Sequence, residues 1–110
     1  MSREHLVEEG SGNVFADLGL PDAEELLSKA QLVRRIGEII KGRNLTQAQA
    51  ARLLGATQPV VSNLLRGQIS GFSLERLVRF LTALDRDVEI VVKRRPRTRE
   101  RARVKVRLTG

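Results

Sequence analysis

The sequence predicts a mainly α-helical domain of about four to five helices, followed by one C-terminal β-strand. Apolar residues recur every three or four positions in two stretches, which is the period of an amphipathic helix. After Asp85 the period changes, because residues 88–93 are β-branched and partly alternating, a pattern typical of a strand. With 110 residues, one domain is expected. We therefore divide the chain into an acidic, flexible leader (1–21), a helical domain (22–87), a strand (88–93) and a basic tail (94–110).

Two longer helices are predicted to supply most of the core. The first begins at an Asp22 cap and ends near Gly42, and a later one begins at a Ser73 cap. The apolar positions of the first are Leu26, Leu27, Ala30, Val33, Ile36 and Ile40, and those of the later helix are Leu74, Leu77, Val78, Leu81 and Leu84. Each set falls on one helical face, so we expect both faces to be buried.

Between them lie two short predicted helices joined by a tight turn. Thr46 can cap the first while Gln49, three residues on, reaches back to the backbone of the cap, which is a capping box. Gly55 can adopt the left-handed conformation that ends a helix. Thr57 caps the second helix, and Pro59 suits its first turn because no N–H is needed there. This arrangement predicts a helix-turn-helix.

The second helix of such a pair lies in the DNA major groove with its N-terminal residues at the base edges. Gln and Asn side chains can pair with adenine through two hydrogen bonds, and Gln58 and Asn63 fit that role. Helical spacing turns Val61, Leu64 and Leu65 toward the core. It leaves Gln58, Val60, Ser62, Asn63 and Arg66 on the outer surface.

The segment TQAQAARLLGATQPVVSNLLRG resembles the Cro/repressor (XRE-type) helix-turn-helix family, over about residues 30–84. In that family, one glutamine at the start of the first helix touches a phosphate and another, opening the recognition helix, reads a base. By position these correspond to Gln47 and Gln58. Pro59 departs from the phage repressors, which often carry a second polar side chain there. The predicted DNA-binding residues are Thr46, Gln47, Thr57, Gln58, Val60, Ser62, Asn63 and Arg66.

The flanking stretches FADLGLPDAEELLSKAQL and FSLERLVRFLTALDRDVEIVV are similar to the HigA-type antitoxins of bacterial toxin–antitoxin pairs, over about residues 14–93. Those proteins repress their own operon and neutralise a RelE/HigB-like mRNA endonuclease. The resemblance therefore implies an autorepressor that is also an antitoxin. Two alternatives stay open, namely a stand-alone XRE-type repressor and a protein-interaction module. Polar Gln58, Ser62 and Asn63 argue against the second, since protein-binding helices more often show apolar anchors.

The net charge of +7 is unevenly distributed. Residues 1–42 contain five basic and eight acidic residues, whereas residues 93–110 contain nine basic residues against Glu100. The basic tail can contact DNA phosphates or be solvated, and we expect phosphate contact. A RNA-cleaving toxin should be basic, so the acidic residues 1–27 are the expected toxin contact.

A lone strand leaves its backbone N–H and C=O groups without partners, and a two-fold dimer would satisfy them. We therefore expect a homodimer formed through Val88, Ile90, Val91 and Val92, and an inverted-repeat operator to match it. The alternating run at residues 102–108 could instead provide a partner within the chain.

Composition excludes several other classes. The chain contains no cysteine, and its one histidine, His5, has no partner at metal-ligand spacing, so we expect neither a metal nor a cofactor. No nucleophile–base pair can be assembled, so the protein is not expected to be an enzyme. No apolar run approaches the roughly 20 residues of a membrane span. A cytoplasmic protein, at the nucleoid when bound to its operator, is expected.

Overall fold

Four helices pack around one core in the computed structural model, which describes residues 22–109. They are α1 (Ala23–Gly42), α2 (Gln47–Leu54), α3 (Gln58–Leu65) and α4 (Leu74–Ala83). Helix α1 packs against both α3 and α4, and α2 packs against α3. The prediction of a mainly helical chain is confirmed. The predicted leader, residues 1–21, lies outside the described residues.

Helix α1 supplies the largest share of the core. Its inward residues Val33, Ile36 and Ile40 are buried as the spacing predicts, together with Leu32 and Ile39. Buried residues from the other elements complete the core: Ala50, Ala51, Leu54, Val61, Leu64, Phe72, Leu77, Phe80, Leu81 and Leu84. The N-terminal part of the predicted stripe, Leu26, Leu27 and Ala30, is only half-buried.

The start of α1 differs from the predicted cap. Asp22 occupies the N-cap position, but its backbone is left-handed (φ 58°) and its side chain makes no capping hydrogen bond. Capping residues normally have an extended backbone, which points the side chain at the first N–H groups of the helix. The prediction of an Asp22 side-chain cap is therefore wrong. One turn on, the buried Ser28 hydroxyl donates to the Glu24 carbonyl oxygen at 3.0 Å.

An aromatic contact fixes the loop that leads from α3 to α4. Phe72 is buried, and its ring meets that of Phe80 edge-on at 6.3 Å between centroids. The Arg76 guanidinium lies over both rings, 5.5 and 5.3 Å from their centroids. As predicted, Ser73 caps α4, since its hydroxyl oxygen accepts a bond from the Arg76 N–H at 3.1 Å. The end of the loop is thus tied to α4.

The prediction of a strand at residues 88–93 is wrong for the single chain, since residues 22–109 contain no strand. A strand needs a neighbour for its backbone hydrogen bonds. None of the backbone bonds found in this part of the chain joins residues 88–93 to residues 102–109.

The basic tail nevertheless returns to the helical body. Val106 packs against the core, and the Arg35 guanidinium donates to the Thr109 carbonyl oxygen at 2.9 Å. The far end of the tail is thereby held at α1.

Among the described helices, none combines the length and apolar character that spanning a bilayer requires.

Gly37 marks the close approach of α1 to α3. It is buried, and a Cβ placed there would lie 3.7 Å from the Leu64 carbonyl oxygen and 3.9 Å from Leu65 Cδ2, which is ordinary contact. Gly37→Ala should therefore raise the free energy of unfolding, by up to about 1 kcal/mol, because alanine favours the helix. Gly37→Leu should lower it by about 1–3 kcal/mol through overpacking. Urea unfolding measures both.

The matched control is Gly42→Leu at the end of the same helix, where a Cβ would meet nothing within 4 Å. Its effect should be small. If Gly37→Leu were tolerated as well as Gly42→Leu, the close packing of α1 on α3 would be disproved.

Candidate nucleic-acid interface

The first helix of the predicted pair begins with the expected capping box. The Gln49 N–H donates to Thr46 Oγ1 at 3.1 Å, and the Thr46 N–H donates to Gln49 Oε1 at 2.8 Å. These bonds satisfy two backbone donors that a helix start otherwise leaves to solvent. The Gln49 side chain is therefore used to cap the helix. Gln47, the first residue of α2, is exposed.

The turn between α2 and α3 has the predicted geometry. Gly55 is left-handed, with φ 66°, a conformation that costs glycine little because it lacks a Cβ. The Ala56 N–H donates to the Ala51 carbonyl oxygen at 2.8 Å, which closes the end of α2. Thr57 then caps α3, its Oγ1 accepting from the Val60 N–H at 3.4 Å. The chain therefore reverses within three residues and presents a new helix start.

Both capping threonines are exposed, and each uses its hydroxyl oxygen as an acceptor. A hydroxyl also has a proton to donate. Thr46 and Thr57 can therefore serve the fold and still donate to a phosphate oxygen that approaches the start of either helix.

The inward side of α3 is wider than helical spacing predicts. Val61 and Leu64 are buried, and Leu65 is half-buried against the core. The spacing predicts Val60 on the outer surface, but Val60 is partly buried and also packs against the core. α3 packs against both α1 and α2, so the apolar contact extends around its side. Val60 therefore presents less surface to DNA than expected.

The outward side of α3 carries two different hydrogen-bonding groups. Near its start, Gln58 is exposed, and no hydrogen bond to its side-chain amide is found among residues 22–109. At the other end, Arg66 donates from Nη1 to Ser62 Oγ at 3.1 Å and from Nη2 to Asn63 Oδ1 at 2.6 Å. Gln58 and Asn63 are the two residues predicted to read adenine. Within residues 22–109, the Gln58 amide has neither its donor nor its acceptor in a hydrogen bond, whereas the Asn63 amide oxygen already accepts one from Arg66.

Sequence reasoning missed a basic cleft at the end of α1. Arg35, Arg43 and Arg86 line it, together with Glu38, Ile39 and Gly42. Arg43 also donates to the Leu84 carbonyl oxygen at 3.5 Å, which links the end of α1 to the end of α4. Because Arg43 and Arg86 are far apart in sequence, no local pattern brings them together.

Comparisons with known proteins agree with this geometry. A protein family described as a helix-turn-helix domain matches residues 14–93. A solved structure named as an XRE family transcriptional regulator is similar to this chain, with 46% sequence identity and a TM-score of 0.74. The alignment covers 81% of this chain and 100% of that one. No curated protein matches.

Gln58 provides the most direct test of base reading by this surface. Gln58→Ala should weaken binding to a preferred DNA sequence by about 1–3 kcal/mol and binding to random duplex hardly at all, because the lost hydrogen bonds are to a base edge. Titration of both duplexes by fluorescence anisotropy measures the difference.

Gln31→Ala on α1 is the matched control, since it removes the same amide outside the helix pair. It should leave both affinities unchanged. Equal losses on both duplexes in Gln58→Ala would assign Gln58 to phosphate contact.

Proposed function

Since this chain belongs to the helix-turn-helix family of XRE-type transcriptional regulators, we propose that it is a homodimeric repressor of its own operon and the antitoxin of a RelE/HigB-like toxin. Membership in the family identifies a DNA-binding regulator, a class that is typically not enzymatic. The operator, the dimer and the toxin are proposed in addition to what membership in the family identifies.

One observation carries sequence-specific DNA binding. A polar surface on α3 is held by a capped, glycine-turned helix pair, and its first side chain, Gln58, is an exposed amide with both donor and acceptor open. An amide in that state can make two hydrogen bonds to one base edge. Thr46, Gln47 and Thr57 stand at the two helix starts, where their donors would meet phosphates and set the position of α3.

The proposed dimer is supported by exposed apolar side chains in the C-terminal segment, by which we mean residues 88–108. Ile90, Val91 and Val92 are 80%, 61% and 91% exposed, and Val88, Val104 and Leu108 are exposed as well. In the described chain, Leu53 is the other large exposed apolar residue. Exposed apolar patches mark interaction sites, and an unpaired backbone next to them favours pairing with a second copy. Such a dimer would place two α3 helices on an inverted repeat, about 34 Å apart.

Ile90→Lys together with Val92→Lys should dissociate the dimer, because each would put an unpaired charge into an apolar contact. Both side chains are exposed in the single chain, so the helical domain should fold normally. Sedimentation velocity at micromolar concentration measures the oligomer, and affinity for an inverted repeat should fall with it.

Leu53→Lys is the matched control, since it charges an exposed apolar residue outside the C-terminal segment. It should remain dimeric. A doubly charged variant that still sediments as a dimer would move the interface elsewhere, and a monomeric wild type would refute the dimer.

The antitoxin proposal rests on the family resemblance and on charge. The described part of the proposed toxin contact, residues 22–27, contains exposed Asp22, Glu24 and Glu25 at the start of α1. The remainder, with Val14, Phe15, Leu18 and Leu20, lies outside the described residues. Asp22 and Glu24 line one cleft with residues 98–103 of the tail, which include Arg99, Arg101 and Arg103 as well as Glu100. An arginine-rich segment therefore already lies beside this acidic surface, as a basic toxin would.

Asp22→Asn with Glu24→Gln should weaken co-purification of the small basic protein encoded by an adjacent reading frame, because it removes two charges from the proposed contact. Glu75→Gln, an exposed carboxylate on α4, should not. Neither variant should change DNA affinity. Full retention of the partner, also by a variant that lacks residues 1–20, would contradict this contact, and an operon without such a reading frame would favour the stand-alone repressor.

A further inference from the structure

The structure assigns a specific base to the C-terminal end of α3: we propose that Arg66, held by Ser62 and Asn63, forms a donor cluster that reads guanine. This inference rests on the proposed sequence-specific DNA binding. The observation behind it is the pair of bonds from one guanidinium to Ser62 Oγ (3.1 Å) and Asn63 Oδ1 (2.6 Å).

The Asn63 amide has lost its free acceptor. An amide that reads adenine accepts from the N6 amino group through its oxygen and donates to N7 through its nitrogen. Here the Asn63 oxygen already accepts a short, charge-assisted bond from Arg66. Its second lone pair lies next to the cationic guanidinium, where another donor such as an adenine amino group is repelled. Asn63 is thus left as a donor.

Arg66 keeps N–H donors that its bonds to Ser62 and Asn63 do not use. A guanidinium has five N–H donors in a planar fork. Two are used within α3, so three remain, and Arg66 is exposed. Arg66 and the side-chain nitrogen of Asn63 both present donors at this end of α3. The one amide acceptor there, the Asn63 oxygen, already accepts a bond from Arg66. Guanine is the base whose major-groove edge shows two acceptors, O6 and N7, which arginine binds in parallel.

The Arg66 side chain is also pre-organised before DNA binds. Ser62 and Asn63 precede Arg66 by four and three residues, so they lie on one face of the helix and hold the fork from the same side. Arginine loses much rotamer freedom when it is immobilised, and here part of that freedom is already lost before DNA arrives. A fork held in this way discriminates between bases better than a mobile one.

A purely structural role for this cluster predicts a different outcome. Arg66 is the C-cap residue of α3, and a cation there interacts favourably with the helix dipole. That role would make Arg66 variants less stable without altering which base is preferred. Thermal unfolding of each variant, measured alongside its DNA preference, separates the two roles.

The experiment is selection from a random duplex library by the full chain and by three variants, Arg66→Gln, Asn63→Ala and Arg79→Gln. The wild type should enrich a guanine in each half-site, and replacing it by adenine or 7-deazaguanine should weaken binding about 5- to 150-fold. Arg66→Gln should lose this guanine preference, because glutamine would not present two parallel donors whereas lysine would still donate to guanine O6 and N7, and this variant should keep the preference read by Gln58. Asn63→Ala should reduce it, since the fork is then held by one bond.

Arg79→Gln is the matched control, because Arg79 is an exposed arginine on α4 bonded to Glu75, and it should keep the guanine. Uniform weakening of all duplexes by Arg66→Gln, with a shallower salt dependence because one cation is lost, would make Arg66 a phosphate contact and overturn the inference. An adenine that depends on Asn63 would overturn it as well. A wild type that enriches no sequence would instead refute the proposed function.

Discussion

The rest of the structure depends on keeping two very short helices in place. α2 and α3 have eight residues each, well below the length at which an isolated helix is stable in water. Their stability must come from caps and from burial. Thr46 and Thr57 satisfy backbone donors at the helix starts, while the core holds Ala50, Ala51, Leu54, Val61 and Leu64 from beneath. The polar surface that we propose as the DNA contact is therefore positioned by packing on its opposite side.

Helix α1 supports this arrangement from the side opposite the polar surface. It packs against both α3 and α4, and at Gly37 it lies close enough to α3 that a Cβ would contact the Leu64 carbonyl oxygen and Leu65. Phe72 and Phe80 then tie the loop after α3 to α4. Helix α3 is thus packed along its length, and the loop just past its end is packed as well. This matters because base reading depends on donors and acceptors that are already in position.

Apart from the Asp22 cap, the features that depend on neighbouring residues were predicted correctly, whereas those that depend on distant residues were missed. The capping box at Thr46, the left-handed Gly55 and the cap at Thr57 are short-range features, and the structure has all three. The strand at residues 88–93 failed because a strand requires a partner that the single chain does not provide. The Arg35–Thr109 bond joins residues 74 positions apart, which no local pattern could indicate. Of the candidate site, helical phase placed Gln58 and Arg66 correctly on the exposed side, but it could not show the extra burial of Val60 or the hydrogen bonds among the others.

Those hydrogen bonds give the two ends of α3 different chemistry. Gln58 keeps a donor and an acceptor, so it can adapt to the edge of more than one base. Asn63 and Arg66 have already paired within the helix, and they retain mainly donors. Residue type alone would treat both amides as equivalent readers of adenine, whereas their bonding states make them unequal. The two readouts that we propose for α3 and its C-cap residue thus differ because the hydrogen bonds among Ser62, Asn63 and Arg66 leave different groups free at each end.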